Sequence, residues 1–239
     1  MSDLQHVDLY LNQQLINYTP DIHKIYTSVE WGVEDYFQEV LKVLQENNIK
    51  SFIDVGGCTG EVANILLEKI LTIESGIVFE PSQENYNFIL KNVISEKITI
   101  ENKAVFYGKN SLTIFKRNDN VGGWSSMIES IPHRESVEVE CVELDDYLKT
   151  KTIDFIKIDV EGSEYNILEN SCLLKEVKFI ELELHHEYFD IFKGENNLNQ
   201  NQTPLDFVKK YLPDHEVHCF LGGIDLDETH AGNIFLVKK

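Results

Sequence analysis

A chain of 239 residues, 42% hydrophobic and 26% charged, is long enough for one domain with a full core and has an ordinary globular composition. Its formal charge of −20, with no basic cluster, argues against a nucleic-acid partner, because such binding rests on Lys and Arg meeting phosphates. No apolar run approaches the roughly 20 residues of a membrane span, the amino terminus lacks the pattern of a signal peptide, and Cys58, Cys141, Cys172 and Cys219 form no C-x-x-C pair, so the expected setting is cytoplasmic.

The first fifty residues read as a helical extension, covering residues 1–48. A first helix is expected over Leu4 to Ile16, ending before Pro20. From Val33 to Leu44, apolar residues at Val33, Tyr36, Phe37, Val40, Leu41 and Leu44 recur at spacings of three and four, which predicts one buried helical stripe. A homodimer through this extension is compatible with the sequence.

From residue 49 onward the pattern alternates. "SFIDVG" predicts a strand, Gly60 to about Leu71 a helix, "GIVFEP" a second strand, about Glu84 to Asn92 a second helix, and "ITIENKAVF" a third strand. Short β-rich runs separated by helices indicate β-α-β units and a parallel sheet. "SLTIFKR" and "SVEVECVEL" then alternate with period two around a long loop, predicting an antiparallel β insertion at about 108–145. The alternation resumes with "DFIKIDV", a helix near Ser163 to Asn170, and "VKFIELEL". The polar stretch "KGENNLNQNQ" reads as a solvated loop or a lid. "TPLDFVKKYL" follows as a helix with Pro204 in its first turn, and "EVHCFLGG" and "NIFLVKK" lie close enough to pair as a hairpin. The expected fold is α/β: a doubly wound, Rossmann-like sheet of seven strands, the first five parallel, with an antiparallel carboxy-terminal hairpin. Such sheets bind ligands at the carboxyl ends of the strands, where strand order reverses.

The stretch Phe52 to Ala63, "FIDVGGCTGEVA", falls at that point. In the register of a dinucleotide fingerprint, G-x-G-x-x-G, Val55 stands where the first glycine should be, while Gly57 and Gly60 fill the other two places. Asp54, at the strand end, would repel a pyrophosphate and attract a cationic ligand. Two opposite charges about 4 Å apart gain roughly 1 kcal/mol in water and about 4 in a partly shielded site. S-adenosylmethionine carries a sulfonium and an ammonium and no phosphate, so the sign favours it. Glu80 ends the second strand, with Pro81 beside it, and can accept from both ribose hydroxyls. Lys103 and Ala104, at the end of the third strand, offer backbone groups to adenine.

"FIDVGGCTG", "VFEPSQENY", "NKAVF" and "IDFIKIDVEGSEYNILEN" follow in the order seen in the FkbM family of methyltransferases, which the segment from Glu34 to His186 resembles. The resemblance implies a class I methyltransferase fold and S-adenosylmethionine as cofactor. It implies cofactor contacts from Asp54, Gly56 and Gly60, ribose contact from Glu80, and a site wall from Asp159 and Glu161. It also implies O-methylation of a hydroxyl on a sugar, glycan or small natural product. Gly57-Cys58 departs from the Ala-Asn of many members and removes an amide near the cofactor.

For the chemistry, Asp159 and Glu161 leave the fourth strand at the crevice, where a base is needed; the alternative is that they favour the start of the following helix. Asp159 also counts among the cofactor-binding candidates. His185 and His186 follow the fifth strand, His185 as a base candidate near neutral pH and His186 as a substrate contact. Either histidine, paired with Asp159 or Glu161, could instead hold a divalent metal, but the sequence alone assigns no metal site. Trp124 and Ser125, with Ser126, are substrate candidates in the insertion, Trp124 to stack on a sugar ring. Two other readings stay open: an NAD-dependent oxidoreductase or epimerase, and a non-catalytic binding module built on a methyltransferase fold.

Overall fold

Strands separated by amphipathic helices build three sheets, of two, seven and four strands, in the computed structural model, which describes residues 8–11, 14–17, 33–117, 125–126, 133–196, 202–221 and 232–239. In chain order the elements are β1 (Asp8–Leu11), β2 (Gln14–Asn17), α1 (Val33–Glu46), β3 (Ser51–Val55), α2 (Glu61–Lys69), β4 (Ser75–Phe79), α3 (Gln83–Asn92), β5 (Ile98–Glu101) and β6 (Ala104–Val105). There follow β7 (Ser111–Arg117), β8 (Ser125–Ser126), β9 (His133–Val142), α4 (Leu144–Leu148), β10 (Phe155–Ile158), α5 (Glu164–Asn170), β11 (Phe179–Leu184), α6 (His186–Glu195), α7 (Pro204–Tyr211), β12 (His215–Leu221) and β13 (Gly232–Lys238).

The main sheet has seven strands in the order β12-β13-β11-β10-β3-β4-β5. β3, β4, β5, β10 and β11 are parallel, and β13 runs antiparallel between β11 and β12. Strand order reverses beside β3, so the turn after Val55 opens into the crevice, as the sequence predicts. Both faces are covered, which is why these strands read as nearly continuous apolar runs. Ile53, Val55, Ile156, Ile158, Ile180 and Leu182 fill one face with Tyr165, Phe189 and Phe207. Phe52, Phe155, Phe179 and Phe235 fill the other with Phe37, Val40, Leu41 and Leu44 of α1. At roughly 25 cal/mol per Å² of apolar surface, each such aromatic or aliphatic side chain adds about 1.5–3 kcal/mol.

The β insertion forms as expected, with β7 and β9 antiparallel. Three expectations change. Where a helix was foreseen over Leu4 to Ile16, the described residues instead form β1 and β2, which pair antiparallel from Asp8 with Asn17 to Leu11 with Gln14. The single strand foreseen over "ITIENKAVF" breaks into two. The Asn102 side-chain amide donates to the carbonyls of Glu80 and Pro81, at 2.9 and 3.1 Å, which turns the chain there. β6 then leaves the main sheet and joins the insertion beside β9. The third change is α6, which takes up residues up to Glu195 of the stretch read as loop or lid; residues 197–201 of that stretch lie outside the described residues. α7 starts as foreseen, with Pro204 in its first turn and a reciprocal cap in which Thr203 Oγ1 accepts from the Asp206 N–H at 3.1 Å. Among the described residues no helix is long and apolar enough to cross a membrane.

Candidate active site

The turn after β3 is closed tightly on its neighbours. Gly56 has φ +90°, and a Cβ there would stand 1.8 Å from the Asp159 carbonyl oxygen. A Cβ on Gly57 would stand 2.2 Å from Val78 Cγ1. Glycine at these places lets the loop lie between β4 and β10. The N–H groups of Gly56 and Gly57 both donate to the Phe79 carbonyl at 2.9 Å, that of Gly60 to Gly57 O at 2.7 Å, and that of Cys58 to Glu80 Oε2 at 2.8 Å. Four amides that a dinucleotide-binding turn could aim at a pyrophosphate are thus engaged inside the protein.

Two acids flank this turn, both buried. Asp54 is 1% exposed, and among the described residues neither carboxylate oxygen has a hydrogen-bond partner. Burial pushes its titration up to about 6, against the attraction of Lys157. An unpartnered buried carboxylate is costly, and it fits a ligand cation that would complete it. Glu80 accepts from the N–H groups of Cys58 and Ser82, each at 2.8 Å. Burial still pushes it up to about 8. The Asn85 side chain also donates to it, which leaves one acceptor site open toward a ribose hydroxyl. Pro81 follows at the strand end. Lys103, by contrast, sends its side chain to Glu101 at 3.4 Å and Glu140 at 3.5 Å, and Ala104 begins β6.

A second cluster grows from the ends of β10 and β11. Asp159, Glu161 and His185 each present a donor atom, all within 4.8 Å of one another. The sharp bend that allows this puts Glu161 at φ +50° and Gly162 at φ +114°. The buried Lys157 ammonium donates to Asp159 Oδ2 at 2.9 Å. Burial pushes Asp159 up, but Lys157 and His185 outweigh it and hold its carboxyl below the ordinary range. Glu183, on β11, is pushed up to about 8 by burial and by the charge of Asp159. Glu164 is fully buried; its Oε1 accepts from the His185 N–H at 3.1 Å and meets His185 Nδ1 at 3.0 Å. Burial would depress the imidazole, yet Glu164 and Glu161 more than offset it and hold His185 well above its ordinary range. Tyr188 stacks on the ring with centroids 5.3 Å apart, and its hydroxyl donates to Glu161 at 3.4 Å.

The structure therefore brings together Asp54, Gly56, Gly57, Gly60 and Glu80 at the turn, and Asp159, Glu161 and His185 at the strand ends. Trp124 lies outside the described residues. Ser125 and His186 are described in backbone only, in β8 and at the start of α6. Lys157, Glu164, Glu183 and Tyr188 were not foreseen. A signal was present for Lys157 and Glu183: "FIKIDVE" and "FIELELHH" carry charged or polar groups at alternate positions, so Lys157, Asp159 and Glu181, Glu183 project to one face of strands that are otherwise apolar.

Residues 54–215 match a family model described as the methyltransferase FkbM domain. No curated protein matches the chain's sequence. Among solved structures, the FkbM methyltransferase of Methylobacillus flagellatus KT is similar, with 18% identity and a TM-score of 0.50 over 79% of this chain and 44% of that one. The chain thus spans less than half the length of that structure. TrmK of M. capricolum, solved with the cofactor product S-adenosyl-homocysteine, is 12% identical, with a TM-score of 0.43 over 84% of this chain and 67% of that one. With strand order β12-β13-β11-β10-β3-β4-β5, the fold is that of class I methyltransferases.

Proposed function

This chain belongs to the FkbM methyltransferase family, and we propose that it uses S-adenosylmethionine to O-methylate a sugar, glycan or small natural product. The observation that carries the cofactor is Asp54, a buried carboxylate with two oxygens unpartnered among the described residues, beside a turn whose amides are already engaged. That environment suits a ligand bearing positive charge and no phosphate. When bound, S-adenosylmethionine supplies a methyl group that passes from sulfur to an acceptor oxygen as the acceptor's hydroxyl proton is released to the protein. Asp54 would hold the ammonium end, Glu80 a ribose hydroxyl, and the Gly56–Gly60 turn would pack against the nucleoside.

Asp159 is the residue assigned to take the proton. It is kept ionised by Lys157, and it stands where the crevice meets the end of β10. A positioned base of this kind contributes about 10²–10⁴-fold, and alignment of the acceptor supplies much of the remainder. With no cation in the crevice, Glu164 and Glu161 hold His185 well above its ordinary range, so the imidazole would donate to an acceptor oxygen rather than deprotonate it. The insertion with Ser125 and Trp124, together with His186, would face the acceptor. A net charge of −20 supports a small or glycan acceptor over a polyanion. Four free cysteines accord with a cytoplasmic setting.

Calorimetry of the full chain with S-adenosylhomocysteine, alongside NAD, tests the cofactor. Binding of the first and not the second is expected, with about 10-fold weakening in Glu80→Ala, from the loss of hydrogen bonding to the ribose. Heat with NAD alone would overturn the reading.

A further inference from the structure

The strand ends gather more acidic side chains than methyl transfer from a sulfonium uses. Asp54, Asp159, Glu161, Glu164 and Glu183 surround Lys157 and His185. Three of these side chains also have the geometry of a chelate. The ligand atoms of Asp159, Glu161 and His185 lie within 4.8 Å of one another. They come from adjoining parallel strands, with Ile158 of β10 in register with Leu182 of β11, so the sheet itself fixes their spacing.

The imidazole is held as a metal-binding imidazole is held. Its Nδ1 faces the fully buried Glu164 at 3.0 Å, and the other Glu164 oxygen accepts from the Gly162 N–H at 2.9 Å. A carboxylate behind one ring nitrogen fixes the tautomer and turns the other outward. Here Nε2 is turned toward Glu161 at 3.5 Å and Glu183 at 3.9 Å, long separations that a cation between the donors would bridge. A second observation is independent of this geometry. Asp54 is in register with Lys157 on the same face of the sheet, where the charge of Asp159 reaches it. It is 1% exposed, and its two oxygens have no partner among the described residues. One ammonium, that of Lys157, serves both the buried Asp54 and the partly exposed Asp159, and it is bonded to Asp159.

We propose that Asp159, Glu161 and His185 form a divalent-cation site of the Mn²⁺ class at the acceptor end of the crevice. Carboxylate oxygens suit Mg²⁺, Ca²⁺ and Mn²⁺, and the imidazole shifts the preference toward Mn²⁺ and its later neighbours. Three protein ligands leave positions open for an acceptor with two adjacent oxygens, such as a vicinal diol. A hydroxyl bound to the cation is oriented and made more acidic. What the cation does there rests on the methyltransferase reading; whether it binds does not.

The test uses the full chain stripped with a chelator and titrated with Mn²⁺ alone, by calorimetry and by the electron paramagnetic resonance of free Mn²⁺. One Mn²⁺ per chain is expected, with nitrogen coupling from an imidazole in the pulsed spectrum. Glu161→Gln should weaken it by about 10-fold or more, and Glu164→Gln by about 10–100-fold through the freed imidazole. S-adenosylhomocysteine binding is measured on the same samples. Mn²⁺ bound as described, with no S-adenosylhomocysteine binding, would overturn the methyltransferase reading and support the site. S-adenosylhomocysteine binding with no saturable Mn²⁺ site would overturn the site alone. Nitrogen coupling needs no variant, so its absence from bound Mn²⁺ overturns the site even where Glu161→Gln fails to fold.

Discussion

Asp54→Asn separates the folding role of this residue from its binding role. The folded protein raises the Asp54 titration to about 6 from an ordinary 3.8. The folded state therefore binds that proton more tightly than the unfolded chain. Stability linked to Asp54 is full below about pH 4 and is lost as the pH rises through 6. A shift of about two units corresponds to about 3 kcal/mol. Asparagine keeps the shape and a buried polar group but cannot ionise. Urea unfolding of both proteins between pH 4.5 and 7.5, without ligand, isolates the effect, because every other titrating group is common to the two. The variant should gain about 2–3 kcal/mol on the wild type across that range. It should also bind S-adenosylhomocysteine about 10–100-fold more weakly, having lost the partner of the ligand ammonium. A stability difference that stays flat with pH would show that Asp54 finds a partner in the free protein, and the case for a cation at this turn would fail.

The other predictions test separate parts of the site. Asp159→Ala should lower turnover by about 10²–10⁴-fold with S-adenosylhomocysteine affinity held within a few-fold, as single-turnover assays and calorimetry will show; unchanged turnover would remove Asp159 from the chemistry. Gly56→Ala puts a methyl 1.8 Å from a backbone carbonyl at φ +90°, so chemical denaturation should show a loss above about 4 kcal/mol or no folded protein. Thr203→Ala removes one half of the α7 cap and should cost about 1 kcal/mol in the same assay, without change in ligand affinity.

The parallel sheet was legible because strands buried on both faces leave uninterrupted apolar runs, as in Ser51–Val55 and Phe155–Ile158. The glycine turn was legible because the strand before it ends on an acid and the helix pattern restarts at Gly60. Two elements were not. Leu4, Leu11 and Leu15 lie seven and four positions apart, a helical spacing, and that pattern hides the pairing of Leu9 with Ile16. The helix α6 follows a strand without a punctuating glycine or proline, and its buried Tyr188 and Phe189 sit beside the polar residues that suggested a loop. For the site, positions were readable and partners were not. Glu164 looked like a residue in the first turn of a helix, where an acid is favoured in any protein. Only the fold places its carboxylate against His185, 21 positions away.

The same buried charges predict how ligand binding depends on pH. Across the sheet, Glu181, Lys157 and Asp54 occupy one register row between Phe235 and Val78, in a place where apolar residues would pack at least as well. The contribution of Asp54 to the stability of the free protein is smallest where it is ionised, above about pH 6, and that is the state a cationic ligand binds. Binding of S-adenosylhomocysteine must then draw a proton off Asp54 at low pH, and affinity should fall by up to about tenfold for each unit below 6. Since ligand stabilises the folded state by mass action, the shift in Tm at fixed S-adenosylhomocysteine should grow from pH 5 to pH 7.5, and Asp54→Asn should flatten that growth. A ligand shift that is as large at pH 5 as at pH 7.5 would mean that the ammonium is held elsewhere, and the acid at the end of β3 would have no part in recognising it.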